Sequence, residues 1–223
     1  MRGAVIASLG ALIITLLLAH YTEIDLWVQE LFYLRDAGRW WVDGSDPLLR
    51  QLFYTGPKGI LIAVAVVLIG VVLASWWRRL SRRWLRPSLY MVLCLALIPA
   101  VVSGLKAVTN KPCPSQLTLY SANGQGQLPY RHLFEPAAAT ERGRCFPAGH
   151  ASGGFSLLGL AFLGRQRWQR WAGASVGLAA GWVMGLYQMM KGAHFLSHTV
   201  VTLCIAWLMA VGLARLVLKT GSK

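Results

Sequence analysis

Apolar residues run along this chain in blocks, each bounded by charge. Arg2 and Glu23 bracket 20 uncharged residues, Lys58 and Arg78 bracket 19, and Arg86 and Lys106 another 19. Arg144 and Arg165 bracket 20, Arg170 and Lys191 a further 20, and Lys191 and Arg215 bracket 23. A helix needs about 20 apolar residues to cross a bilayer. The pattern therefore predicts an all-α, polytopic membrane protein with six transmembrane helices, at 3–20, 59–77, 87–105, 147–164, 172–190 and 196–216. The first block lacks a small-x-small cleavage site before a polar mature start, so it reads as a membrane helix and not a signal peptide. Two long segments remain, 21–57 and 106–146, the second rich in Pro, Gly and polar residues. Within the first, Ile24, Trp27, Leu31 and Leu34 recur at helical spacing and predict a short helix, lying on the membrane surface or packed on the bundle. No internal repeat is visible, and residues 1–223 read as one domain.

Composition agrees. Of the 223 residues 56% are hydrophobic and only 13% charged, too apolar for an ordinary soluble domain. A net charge of +14 would suggest nucleic acid as a partner of a soluble chain. Here the cations gather in short loops: Arg78, Arg79, Arg82, Arg83 and Arg86 in one, Arg165, Arg167 and Arg170 in another, with Arg2, Lys219 and Lys223 near the ends. Short positive loops stay in the cytoplasm, so both termini are expected there and nucleic acid is set aside. The acids Glu23, Asp25, Glu30, Asp36, Asp43, Asp46, Glu135 and Glu141 all fall in the two long segments, which are expected outside. Trp76, Trp77, Trp84, Trp168 and Trp171 mark the inner helix ends, as interfacial aromatics do.

Lys106, Lys111, Arg131, Arg142, Arg144 and Lys191 break the charge rule. They lie on the expected outer side, where cations need a reason. Cys94 and Cys204 fall inside helices and read as core. Cys113 and Cys145 stand at the two ends of the outer loop; in an oxidising compartment they are expected to pair. Such a cross-link is worth about 3–4 kcal/mol in the chain-entropy model.

The topology brings three polar segments to one outer face. The first is "KAVTNKPCP", Lys106 to Pro114. The second is "RCFPAGHASGG", Arg144 to Gly154, where Pro147 suits a helix start and small Ala148 and Gly149 leave backbone N–H groups approachable beside His150. The third is "KGAHFLSHT", Lys191 to Thr199, where Lys191, His194 and His198 share one face if the stretch is helical. His194 and His198 have the spacing of a metal pair. The cations around them repel a metal and attract a polyanion, so no metal is expected. A phosphate suits all three segments: cations neutralise it, N–H groups bind it, one histidine attacks phosphorus and another protonates the leaving oxygen.

These segments resemble the type 2 phosphatidic acid phosphatase (PAP2) superfamily, over roughly residues 87–215. The family pattern is K-x6-R-P, then P-S-G-H, then S-R-x5-H-x3-D. Lys106 and Pro114 match the first motif, with Cys113 in the arginine position and Lys111 two residues earlier. "PAGH" stands for the second, with Ala148 replacing serine and His150 matching the general acid. In the third, His194 matches the nucleophile, while Tyr187, Gln188 and His198 stand where the family has serine, arginine and aspartate. The resemblance implies a PAP2-like helical bundle with the site on the outer face, and a metal-independent phosphatase without cofactor. The phosphate is expected to be held by Lys106, Lys111, Lys191, Arg144 and the backbone of Ala148 and Gly149. Lys191, one turn after Gln188, is expected to resupply the arginine's charge. His198, in the aspartate's place, is the candidate for orienting His194; Glu135, Glu141 or a backbone carbonyl are the alternatives.

The implied function is a lipid phosphatase of a bacterial inner membrane, acting on the periplasmic side through a phosphohistidine. Undecaprenyl diphosphate, phosphatidylglycerol phosphate, phosphatidic acid and lipid A phosphates all suit such a site. A lipid-to-lipid phosphotransferase and a non-catalytic anionic-lipid binder or transporter are the competing readings. Oligomeric state is not legible in the sequence.

Overall fold

The computed structural model describes residues 2–77, 80–120, 128–136 and 143–218. Glu141 and Arg142 of the outer loop lie outside the described residues, as do Arg78, Arg79, Lys219 and Lys223, which helped to fix the expected orientation.

The chain is an all-helical bundle with one small hairpin. Its helices are α1 (Arg2–Tyr21), α2 (Ile24–Glu30), α3 (Pro47–Arg50), α4 (Gly56–Trp76), α5 (Leu85–Thr109), α6 (Gly149–Phe155), α7 (Arg167–Met190) and α8 (Leu196–Val217). Among the described residues three helical stretches are long and apolar enough to cross a membrane: Pro47–Trp76, Leu85–Gln116 and Leu196–Val217. The first predicted crossing joins them only as a bent pair, Val5–Tyr21 with Ile24–Glu30, the two arms meeting at 80°. The segment predicted as the fourth crossing is α6 followed by a tighter 3-10 stretch, Ser156–Phe162, and that predicted as the fifth lies in α7; neither is among the stretches long and apolar enough to cross.

Two elements begin or end elsewhere than the pattern predicts. The second crossing starts a dozen residues early, because Asp46 caps the helix that Pro47 opens, accepting from Leu48 N at 2.8 Å and Leu49 N at 3.1 Å. It then passes through a wide π turn, Gln51–Thr55, before α4. The surface helix stops at Glu30 instead of reaching Leu34. Tyr33 leaves it to pair with Trp40 across a two-stranded ribbon, and its ring packs on Trp40 and Tyr120. α2 also inverts the usual amphipathic rule. It buries Asp25 and Gln29 and exposes Trp27 and Leu31, as suits a helix with protein on one side and an apolar phase on the other.

The core of the bundle is set by a glycine stripe. Gly173, Gly177, Gly181 and Gly185 follow every fourth position along α7, so they share one face. A Cβ on Gly177 would stand 2.4 Å from Leu158 N, and one on Gly181 2.0 Å from the Phe155 ring. The backbones of α6, the 3-10 stretch and α7 therefore approach more closely than any side chain would allow, the small-residue packing that membrane helices use in place of a hydrophobic drive. Gly154 answers from the other side, its position lying against the Ala180–Gly181 backbone. α4 packs chiefly on α5 and exposes Ile60, Ile62, Val66 and Val67, so it forms an outer wall of the bundle.

Gly181→Ala is expected to destabilise the protein by about 1–3 kcal/mol through overpacking. Gly10→Ala, where nothing lies within 4 Å, is expected to be neutral or slightly stabilising. Thermal unfolding of the two variants in detergent checks the difference.

Candidate active site

The three polar segments meet at one end of the bundle, and the loop between the first two is zipped shut. α5 ends at Asn110, which takes a left-handed conformation (φ 46°). From there the chain runs beside 143–146. Thr109 Oγ1 donates to the Phe146 carbonyl, Gly143 N to Asn110 Oδ1 at 2.8 Å, and Cys145 N to the Lys111 carbonyl at 3.0 Å. Cys113 and Cys145 are joined in a disulfide with Cα atoms 5.2 Å apart. This zipper sets Lys106 beside the start of α6, where a Cβ on Gly149 would lie 4.0 Å from its Nζ.

The third segment is not one helix. α7 ends in a Schellman turn: Gly192 N donates to the Met189 carbonyl at 3.0 Å and Ala193 N to Gln188 at 2.8 Å. Gly192 has φ +72°, and a Cβ there would stand 2.3 Å from the Trp40 ring, so only glycine fits. Lys191, His194 and His198 therefore do not share a helical face as their spacing predicts. Lys191 caps α7, His194 sits in the turn, and His198 lies in the first turn of α8. Three carbonyls of the turn are held from a distance. Gln29 Nε2 reaches Met189 at 2.8 Å, Val42 N reaches Met190 at 3.2 Å, and Ser115 N reaches Gly192 at 2.8 Å.

The outcome is a pair of histidines. His150 Nδ1 and His194 Nε2 lie 3.5 Å apart. His194 is buried and His150 half-buried in front of it. Burial, then the neighbouring His198 and His150 rings and the Lys106 charge, hold His194 well below the usual histidine range, so it is neutral at pH 7 and keeps a lone pair. If that lone pair is on Nε2, His150 donates to it, and the His194 proton sits on Nδ1. No hydrogen bond of ordinary geometry reaches that Nδ1 or the Nδ1 of His198. The two rings meet edge to face with centroids 5.9 Å apart, and the Cys145 carbonyl is near enough to act on both.

Cations surround His150. Lys106, Lys191 and Lys58 each act on it electrostatically. Lys191 is held by two rings, its ammonium 5.1 Å from the Tyr187 centroid and 5.8 Å from that of Tyr54, and burial together with Arg50 lowers its affinity for a proton. Tyr54 packs its edge on His150, centroids 4.8 Å apart. Arg144 is exposed and acts on Lys106. Gln188 is buried with its Oε1 unpartnered, so the charge near that position is that of Lys191.

Other predicted residues are engaged elsewhere. The Lys111 ammonium donates to the carbonyls of His132 (3.0 Å) and Glu135 (2.6 Å), tying that turn to the segment after α5. The Glu135 carboxylate caps His132 N at 3.0 Å and does not bond His194. The expected free N–H of Ala148 is instead donated to the His198 carbonyl at 3.1 Å, and Thr202 Oγ1 bonds both the Ala148 and His198 carbonyls. Ala148 thus ties α6 to α8. Among the described residues no group of three or more His, Cys, Asp or Glu is arranged to hold a metal ion.

Three residues escaped the sequence reading: Lys58, Tyr54 and Asp25. A lysine at the expected outer end of the second crossing breaks the same charge rule as Lys106, so the signal of Lys58 was present. Asp25 gave no such signal. Its carboxylate accepts from Ser197 N at 2.8 Å and from Ser197 Oγ at 2.5 Å, between His194 and His198 in sequence. It caps the orphan donors at the start of α8 from a helix 172 residues away in sequence, which local reading cannot find.

A cavity of about 420 Å³ opens at His150 and runs between α4, α5 and α6. Lys58, Lys106, Gly149 and His150 line its polar end, and Leu61, Ile62, Ala65, Leu95 and Pro99 its apolar length. A family model, that of the PAP2 superfamily, matches residues 87–222, which hold all three segments. No curated protein and no solved structure matches the chain.

Asp25→Ala leaves two buried donors of Ser197 unpaired, which costs about 1–3 kcal/mol, whereas Asp25→Asn keeps an acceptor; the alanine variant is expected to melt lower than the asparagine variant. The depressed His194 also couples stability to pH. Unfolded, it binds a proton below pH 6.5; folded, it resists one. Stability is therefore full above pH 6.5 and falls as the pH drops below it, by up to about 1.4 kcal/mol per pH unit for one site. Melting curves between pH 8 and 5 are expected to be less steep in pH for His194→Gln than for the parent.

Proposed function

The chain belongs to the PAP2 superfamily, and on that premise we propose that it is a membrane lipid phosphatase working through a phosphohistidine on His194. Membership supports phosphatase or phosphotransferase chemistry. The observation that carries the finer reading is the histidine pair, one member of which, His150, lines the cationic end of a cavity whose remaining length is apolar while His194 stands buried 3.5 Å behind it. A headgroup phosphate meets Lys58, Lys106 and Lys191 while its lipid tail lies along Leu61, Ile62, Ala65 and Leu95.

In this reading the phosphate enters between the two rings and parts them. His150 takes up a proton as the phosphate anion offsets the lysine charges around it; His194 Nε2 attacks phosphorus, the ester or anhydride P–O bond breaks, and the His150 imidazolium gives that proton to the leaving oxygen. His150 then takes a proton from water. The hydroxide attacks phosphorus, the P–N bond breaks, and inorganic phosphate leaves. The lysines and the Gly149 N–H stabilise the charge on the phosphoryl oxygens; Arg144 adds long-range attraction through Lys106. No step calls for a metal. We place six crossings in a bacterial inner membrane with both termini inside and the histidines outside, on the strength of the loop charges. Undecaprenyl diphosphate, phosphatidylglycerol phosphate, phosphatidic acid and lipid A phosphates remain the candidate substrates.

The weak hold on His194 Nδ1, with only the Cys145 carbonyl near it, favours a second reading, a binder that holds anionic lipid without turning it over. One panel separates the readings. Purified protein is given each lipid phosphate, with and without chelator, and free phosphate is measured. Hydrolysis is expected in both conditions, with His150→Ala slower by about 10²–10⁴-fold and His194→Ala inactive. Full activity in His194→Ala would sink the proposal, and loss of parent activity in chelator would overturn metal independence. Lipid bound with no phosphate released establishes the binder, and phosphate moved to a second lipid establishes a transferase.

A further inference from the structure

A second groove lies at the end of the bundle opposite the histidines. The start of α7, the end of α8 and the 3-10 stretch enclose about 480 Å³. Its floor is small and buried, made of Ala161, Ala174 and Ala214. Phe162 and Trp207 pack together along it, centroids 5.2 Å apart. Arg167, Arg170 and Trp171 stand exposed at its rim. Arg170 is fixed there, its Nε donating to the Gly164 carbonyl at 3.0 Å.

Among the described residues these charges have no counter-ion. The sequence has no acid after Glu141, and among the described residues the one ion pair is Arg35–Glu30. Loop arginines alone would follow from topology. Topology does not explain why two of them border a groove of ligand size with an apolar floor. Trp168 and Trp171, 65% and 64% exposed, put this rim at the depth where amphipathic rings meet headgroups.

We propose that this groove is a binding site for one anionic phospholipid of the leaflet opposite the active site. An acyl chain lies over Ala161, Ala174 and Ala214, and the phosphate sits between Arg167 and Arg170. A choline headgroup brings its own cation against the two guanidinium groups and is disfavoured; a phosphatidylglycerol headgroup is not. The site is independent of the phosphatase reading, since none of its residues touches the histidines.

Native mass spectrometry tests it. Full-length protein is reconstituted in nanodiscs of equal phosphatidylglycerol and phosphatidylcholine, and the lipid retained on release is identified. The parent is expected to keep phosphatidylglycerol in preference. The Arg167→Gln/Arg170→Gln double variant is expected to lose that preference by about fivefold for each arginine removed while still unfolding in one cooperative transition, lowered only by loss of the exposed Arg170–Gly164 bond. Lys106→Gln, at the other end of the bundle, is expected to leave it intact. Equal retention of the two lipids by the parent would overturn the proposal. So would a preference that survives the arginine substitutions or disappears with Lys106.

Discussion

The arrangement of the site depends on satisfying one turn. Between α7 and α8 the chain reverses through Lys191–Phe195, leaving carbonyls at one helix end and amides at the next without helical partners. In the interior of a membrane bundle each of those groups is costly if unpaired. The Schellman bonds of Gly192 and Ala193 satisfy part of the set. Segments remote in sequence satisfy further members of it: Gln29, Val42 and Ser115 on the carbonyl side, and Asp25 on the amide side. The stretch before α3, together with Ser115, thus holds the nucleophile candidate in place. It also explains why α2 turns its polar face inward.

His150 is positioned by different means. α6 is fixed against α7 by the glycine stripe, against α8 by the Ala148–His198–Thr202 bonds, and against the end of α5 by the disulfide and its neighbouring hydrogen bonds. Each histidine therefore stands on its own rigid support, and they meet through a single long contact of 3.5 Å. Two independent supports with a weak contact between them suit a site whose ligand must pass between the rings. Two histidines locked by several mutual bonds would resist it.

Much of this was legible in the sequence, and what was not has physical reasons. The apolar blocks located the helices because a hydrophobic run is a local signal. The first motif, the cysteine pair and His150 were legible for the same reason. The glycine stripe of α7 went unread, because a four-residue spacing takes its meaning from what packs against it. The extension of the second crossing back to Pro47 follows from a cap and a π turn, both of which composition averages hide. Asp25 and Lys58 reach the site only through tertiary contact, and Asp25 looked like one acid among eight. Lys111 and Ala148 matched motif positions, but position does not reveal whether a donor is already engaged.

The missing carboxylate can be weighed on the charges now placed. Asp25 does not replace it, for both its oxygens face Ser197 and not an imidazole. His198 occupies the sequence position without a hydrogen bond to His194. Exchanging an aspartate for a neutral ring removes one negative charge from beside the nucleophile and leaves Lys58, Lys106 and Lys191 in place. Such a site is more positive by one charge, so it attracts a phosphate more strongly before any bond has changed. The aspartate's effect would be felt mainly later, as His194 becomes cationic on attack. Greater ground-state attraction with less stabilisation of the charge formed in the transition state lowers turnover relative to binding. On the proposed reaction, the balance of this constellation therefore tilts toward tight capture and slow release, and the neutral, buried His194 compensates in part by being ready to attack without first losing a proton.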